Sequence, residues 1–232
     1  MAVEDADISD TTGVYRGRQQ AREYTLPDDV QAGQTYYWRI DEKNANGTLT
    51  RGDLWSFCVT DYLVVDDMES GDPWSIWWDG WFDPNNGSEV WYPEANIVHG
   101  GEQSLYVVYD NSTAPLSQVQ RVWETPQDWT RKGVQTLSLW IHGTPDNVAE
   151  SFSISLQDSA NNIARIEHPD PAAIFSDGWQ EWSIALANVP GLDLSAITSM
   201  SIVISGNGVG QGSRGVLYID DIYLHPVSVR GQ

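Results

Sequence analysis

Residues 137–142 read Leu-Ser-Leu-Trp-Ile-His, and residues 152–157 read Phe-Ser-Ile-Ser-Leu-Gln. Each run alternates an apolar side chain with a polar or amphipathic one. A period of two is the mark of a strand with one buried face. The same alternation recurs in Leu105/Val107/Tyr109 and in Met200/Ile202/Ile204. Turn-forming clusters separate these runs, among them Asn46-Gly47, Asn86-Gly87, Gly143 to Asn147, and Gly206-Asn207-Gly208. Helical periodicity is almost absent, so no crossover helices are there to join parallel strands. Many short strands with regular turns specify an all-β fold, an antiparallel β-sandwich.

Composition narrows the function. The chain of 232 residues carries 12 Lys+Arg against 33 Asp+Glu, a formal net charge of −21. Nucleic-acid binding requires clustered cations that release phosphate counterions, so that class is excluded. Anionic membrane surfaces are excluded on the same ground. No segment approaches the roughly 18 consecutive apolar residues of a membrane helix, so no membrane insertion is expected. The acid load is uneven, with −4 on residues 1–60 and −17 on residues 61–232. A divalent cation would relieve self-repulsion in that second part. There are 12 Trp beside 4 Phe, an excess that points to rings displayed for contact. Cys58, the single cysteine, rules out an internal disulfide, and its setting between Phe57 and Val59 reads as a buried strand thiol.

Residues 1–60 read as one unit. Within it residues 35–57, TYYWRIDEKNANGTLTRGDLWSF, resemble the closing strands of a fibronectin type III-like module. The initial strand pair of such a module is missing, so the chain is expected to be part of a longer protein. The opening residues, Met1–Asp10, lack the basic and apolar regions of a signal peptide. The second unit, 61–227, runs from Asp61-Tyr62-Leu63-Val64-Val65-Asp66-Asp67-Met68-Glu69-Ser70 to Tyr218-Ile219-Asp220-Asp221-Ile222-Tyr223-Leu224, with a five-residue tail at 228–232. Those end strings, with Ile97 to Leu105 between them, resemble the jelly-roll carbohydrate-binding modules of the galactose-binding-like type. Met68 stands where that pattern has an aromatic. The resemblance implies a polysaccharide partner, further domains in a parent chain, and an extracellular or cell-surface location.

It also implies a structural calcium. Asp67 and Glu69, two apart on the first strand, share a face, and Asp220 lies on the last strand beside it. Side-chain ligation is expected from Glu69 and Asp220, with backbone oxygens from Asp67 and Glu102, an all-oxygen set that suits this ion. The alternative is that these acids are merely solvated.

The sugar-binding candidates are aromatic. Trp74, Trp77, Trp78, Trp81 and Phe82 fall within nine residues, and Trp91 and Tyr92 follow. A sandwich strand buries one face, so either Trp77/Trp81 or Trp78/Phe82 faces outward. A pyranose stacks its apolar C–H face on such a ring while its hydroxyls seek carboxylates and amides, here Asp79, Asn85, Asn86 and Glu89. Trp140 projects opposite Leu139 and Ile141, and Ser151, Ser153, Ser155 and Gln157 form a second polar face. Together these could line a groove, with Tyr109 and Asp110 at a strand end. Trp129, Trp179 and Trp182 read as core. The sequons at Asn46, Asn86 and Asn111 suggest exposed turns.

Other signatures fail on context. Gly210 to Gly215 fits a dinucleotide fingerprint by letters, but a strand follows where a helix is required. His99, His142, His168 and His225 have no metal-ligand spacing and read as surface or loop residues. With 33 acidic residues, carboxylate pairs carry no information about glycoside hydrolysis. The reading is a non-catalytic module that binds a β-glucan or other plant-type polysaccharide. A structural or adhesion module, and a glycan-active enzyme on the same scaffold, are the alternatives.

Overall fold

The computed structural model describes residues 15–26, 30–31, 33–80, 82–91, 93–148, 150–206 and 213–226. Of Pro73 and Trp74 only the backbone is described. The chain divides into two units, Met1–Asp61 and Tyr62–Gln232.

In the first unit, β1 (Thr35–Trp38) pairs antiparallel with β4 (Trp55–Cys58), and β2 (Glu42–Lys43) with β3 (Leu49–Thr50). Cross-strand partners stack as rings: Tyr36 on Phe57 at 5.5 Å and Trp38 on Trp55 at 6.2 Å. Arg39 and Gly52 N both bond to Asp41 Oδ1. Every residue of β4 is exposed. Cys58 is therefore an exposed thiol and not a buried one, because a two-stranded ladder covers neither of its own faces.

The second unit is an antiparallel sandwich. Its strands are β5 (Leu63–Asp66), β6 (Trp77–Trp78), β7 (Ser88–Val90), β8 (Leu105–Asp110), β9 (Leu116–Gln127), β10 (Val134–His142), β11 (Ser151–Asp158), β12 (Ile163–Glu167), β13 (Gln180–Ala185), β14 (Ile197–Ser205) and β15 (Arg214–Pro226). One sheet runs β13-β10-β15-β8-β7, with β5 also paired to β15, and the other runs β12-β11-β14-β9-β6. The long β15 pairs with β8 through Arg214–Ile219 and with β5 through Ile222–Leu224. A bulge at Asp221 (φ +47°) separates the two stretches and keeps Asp220 and Tyr223 both on the outer side.

The core lies between the sheets and follows the alternation in the sequence. Leu105, Val107, Leu137, Leu139, Ile154, Leu156, Met200, Ile202, Leu217 and Ile219 are inaccessible to solvent. Trp129 and Trp182 join them, as the sequence suggested. Trp179 does not: it is half-buried on the outer side, edge-on to His99 and His142.

Where β5, β6 and β9 meet, a charge closes the sandwich. Asp66, nearly inaccessible, accepts from Trp77 Nε1 at 2.9 Å and from Met68 N at 2.9 Å, and pairs with Arg121. Trp77 and Arg121 are direct cross-strand neighbours, so one carboxylate from the first sheet fastens an adjacent pair on the second. The Arg121 guanidinium also lies over the Trp123 ring, 5.6 Å from its centre. Removing one member of a buried pair strands the other in low dielectric. Asp66→Ala is expected to lower the unfolding free energy by about 3–5 kcal/mol, read as a fall in the urea midpoint at unchanged slope.

Candidate functional site

The strand of Trp77 and Trp78 settles which ring pair faces outward. Trp77 is 1% exposed and belongs to the core, whereas Trp78 is 61% and Phe82 89% exposed. Trp77 is thus corrected from sugar platform to core residue, because its indole N–H is needed by Asp66. Trp81 and Tyr92 lie outside the described residues.

Trp78 pairs with Gln120, Gln120 with Ser201, Ser201 with Ser155, and Ser155 with Arg165. This single cross-strand row spans the outer face of the second sheet. Five strands at about 4.8 Å spacing make it roughly 19 Å wide. Its floor is made of serine and its cover of glutamine amides. Gln118 Nε2 lies 3.3 Å from Ser201 Oγ, Gln120 Nε2 lies 3.2 Å from Ser199 Oγ, and Ser199 Oγ lies 3.4 Å from Gln157 Oε1. Ser199 and Ser201 point outward yet are almost inaccessible, because glutamine amides lie over them. Of the serine face of β11 expected from sequence, Ser155 lies in one row with Trp78, whereas Ser153 is inaccessible.

A cavity of about 220 Å³ opens beside Trp78, bounded by Gly80, Asp83, Asn85, Asn86, Leu116 and Gln118 among others. Its frame is Asn86. The side-chain amide donates to Asp79 O (2.6 Å) and Gln118 O (2.8 Å), and its oxygen accepts from Gln118 N (2.8 Å) and Ser88 N (3.1 Å). Gly80 sits at φ +70° with the Asn86 amide where a side chain would be, so both the turn and the clamp require glycine there. Asn86 is therefore no exposed sequon. Asn111 is not one either: it is buried, donates to Ile204 O at 3.1 Å and accepts from Ser117 Oγ at 2.7 Å. Only Asn46 sits in an exposed turn, as expected.

The remaining candidates fall elsewhere. Trp91, half exposed, follows the edge strand β7 and donates to Glu89 Oε2 at 3.0 Å. Asp79 Oδ2 accepts from Val90 N at 3.0 Å, a structural task. Tyr109 is corrected from groove to core: it is inaccessible, its hydroxyl donates to Val148 O at 2.9 Å, and burial pushes its pKa well up. Asp110 is exposed, and its carboxylate, capping Ser112 and facing Arg214, is held below the ordinary range.

Trp140 is on the outer face of the other sheet, away from the serine face it was grouped with. It is also not displayed: His99 stacks on it with ring centres 3.7 Å apart. His142 is buried as well, against Trp179 and Tyr218, and so is no ordinary surface histidine. Of the fingerprint lookalike at 210–215, residues 210–212 lie outside the described residues and Ser213 to Gly215 lie within them.

One loop bonds to two of the acids expected to hold calcium. Glu69 Oε1 accepts from Glu102 N (2.8 Å) and Gln103 N (3.0 Å), and Asp220 Oδ2 from His99 N (2.9 Å) and Gly100 N (3.2 Å). One loop thus bridges the first and last strands. The route differs from the expectation, however. Strand β5 ends at Asp66, and Met68 takes φ +58°, so Asp67 and Glu69 do not share a strand face. Burial raises the Asp220 carboxyl to about 6 despite its three backbone donors. Among the described residues no group of three or more His, Cys, Asp or Glu side chains is disposed to hold a metal, and the expected set has only two such side chains.

No family model and no curated protein matches the chain. The likeness is structural. The family 30 carbohydrate-binding module of the cellulosomal cellulase Cel9D-Cel44B of Clostridium thermocellum superposes with a TM-score of 0.52 and 11% identity, over 72% of this chain and 99% of that one. The family 11 module of Lic26A-Cel5E from the same organism gives 0.46 and 16%, over 72% and 95%. An exo-β-agarase gives 0.48 and 15%, over 62% of this chain but only 24% of the agarase, so the chain spans about a quarter of that enzyme. The fold is thus an antiparallel β-sandwich, which the family 30 module shares.

The geometry separates the two tryptophans experimentally. Trp77→Ala is expected to lower stability by about 3–5 kcal/mol. Trp78→Ala should stay within about 0.5 kcal/mol of the parent chain, both read by chemical denaturation.

Proposed function

We propose that residues 62–226 form a non-catalytic module that binds a β-glucan or another plant-type polysaccharide across the outer face of the second sheet. The observation that carries this reading is a solvent-exposed indole, Trp78, at one edge of a face of serines and glutamine amides. The indole offers an apolar plane for the C–H face of a pyranose, and the amides and hydroxyls offer donors and acceptors to its ring oxygens and hydroxyls. Trp91, which follows β7 at the edge of the other sheet, is left out of this face. Family 11 and family 30 modules with this sandwich architecture come from cellulosomal cellulases, which is consistent with an extracellular polysaccharide as partner. On the same reading unit 1 is the closing part of a fibronectin type III-like spacer, and other domains of a parent chain supply avidity.

Affinity electrophoresis in soluble β-glucans, xyloglucan, xylan and mannan tests this. Retardation on at least one polymer is expected, falling at least about tenfold in apparent affinity, or about 1.4 kcal/mol, for Trp78→Ala and unchanged for Trp140→Ala. A folded chain that no polymer retards would move the assignment to a structural or adhesion module.

A calcium ion belongs to the same proposal. Glu69 and Asp220 side chains with carbonyls of Asp67 and Glu102 would hold it, and it would rigidify the junction of the first and last strands without touching sugar. What supports this is that one loop already gathers Glu69 and Asp220. The melting temperature is expected to rise with calcium and fall with a chelator, and the calcium increment to vanish in Glu69→Ala. An identical melt in calcium and in chelator removes the ion.

A further inference from the structure

The chain contains the pair Asn-Gly at 46–47, 86–87 and 207–208; the first two lie among the described residues, and the structure gives them opposite chemical environments. Glycine after asparagine leaves the following backbone nitrogen unhindered, which favours its attack on the side-chain amide. That nitrogen, from Gly47, would bond to Cγ of Asn46, lose its proton and expel the side-chain nitrogen as ammonia, closing a succinimide. Water then opens the ring at either carbonyl to leave aspartate or isoaspartate. One water enters and one ammonia leaves, so no oxidant, metal or cofactor takes part.

We propose that Asn46 is a site of spontaneous deamidation in the folded chain and that Asn86, with the same neighbour, is structurally protected from it. Asn46 is exposed in the turn between β2 and β3, and its side chain holds one hydrogen bond, accepting from Thr48 N at 3.0 Å. Gly47 N donates to Asn44 O at 2.9 Å, and nothing lies within contact of the Gly47 Cα on its side-chain side. Both bonds are open to water and exchange for water bonds at little net cost. The turn is therefore free to reach the geometry of attack.

Asn86 is not free to do so. Its side-chain nitrogen is held by two carbonyls, from Asp79 and Gln118, and its oxygen by the backbone nitrogens of Gln118 and Ser88. The would-be nucleophile, Gly87 N, donates to Leu116 O at 2.9 Å, and the Gly87 Cα packs against Asp110 O. Ring closure there requires rotating the amide out of four hydrogen bonds and breaking a fifth, so Asn86 reacts only from a locally opened state. The protection guards the frame of the Trp78 cavity. A carboxylate at position 86 would set an oxygen against Asp79 O and Gln118 O and remove both donors.

Peptide mapping by mass spectrometry, after incubating the intact chain at mildly alkaline pH with and without urea, tests the assignment independently of any glycan. In buffer the Asn46 peptide is expected to gain about one dalton and to become a substrate for isoaspartate methylation. The Asn86 peptide should lag it by on the order of a hundredfold, the factor set by the bonds that must open. In urea the two should converge to within a few-fold, because the neighbour is then the only determinant. Asn46→Gln should abolish the early mass gain of the peptide that carries residues 46–47. Asn86 keeping pace with Asn46 in the folded chain would overturn the proposal, as would an Asn46 that reacts in urea but stays intact in buffer.

Discussion

The carboxylate of Asp66 is the point on which the sandwich turns. It comes from the last residue of β5, on one sheet, and it satisfies Trp77 and Arg121, adjacent across β6 and β9 on the other. Burying an acid is unfavourable unless the site returns hydrogen bonds and a counter-charge. Here an indole N–H, a backbone N–H and a guanidinium do so together. Because Trp77 is committed to that contact, its neighbour on the strand must face solvent. The display of Trp78 is a consequence of the burial of Trp77.

From that junction outward the two sheets diverge in character while sharing one core. The outer side of the first sheet is closed, with His99 on Trp140, Trp179 against both His99 and His142, and the loop from His99 to Gln103 tying Glu69 to Asp220. The outer side of the second carries serines under glutamine amides, with Val122 and Ile163 exposed beside them. A sandwich has two outer faces of equal area. In this one the loop that carries His99 covers part of one of them, and the serine and glutamine face lies on the other.

Among the described residues, two Asn-Gly pairs use asparagine for unlike ends. At Asn46 it makes a tight exposed turn between two short strands, where any residue tolerating that backbone would serve. At Asn86 the amide is chosen for having donors and acceptors on one planar group, which lets it join the turn after Trp78 to β7 and β9. A carboxylate or an alkyl chain of similar size offers half of that or none.

What the sequence determined alone was the alternation. Period-two patterning assigns Leu137, Leu139 and Ile141 to one side and Ser138, Trp140 and His142 to the other whatever their partners are, so the sandwich and most of its core were legible. The sequence also confined the outward ring pair to two choices, and it brought the Glu69 and Asp220 ends together by resemblance. Which ring pair, which sheet and which faces meet depended on partners distant in the chain. Trp77 went inward because Asp66 and Arg121 were there to receive it, and Trp140 was covered because the loop carrying His99 folded over it. Asn86 and Asn111 looked like exposed sequons because composition registers a turn but not the carbonyls that surround it. Cys58 looked buried because alternation registers a strand but not how many strands lie beside it. Local chemistry fixes the side a residue faces, and only tertiary packing decides whether that side meets solvent, a ring or an ion.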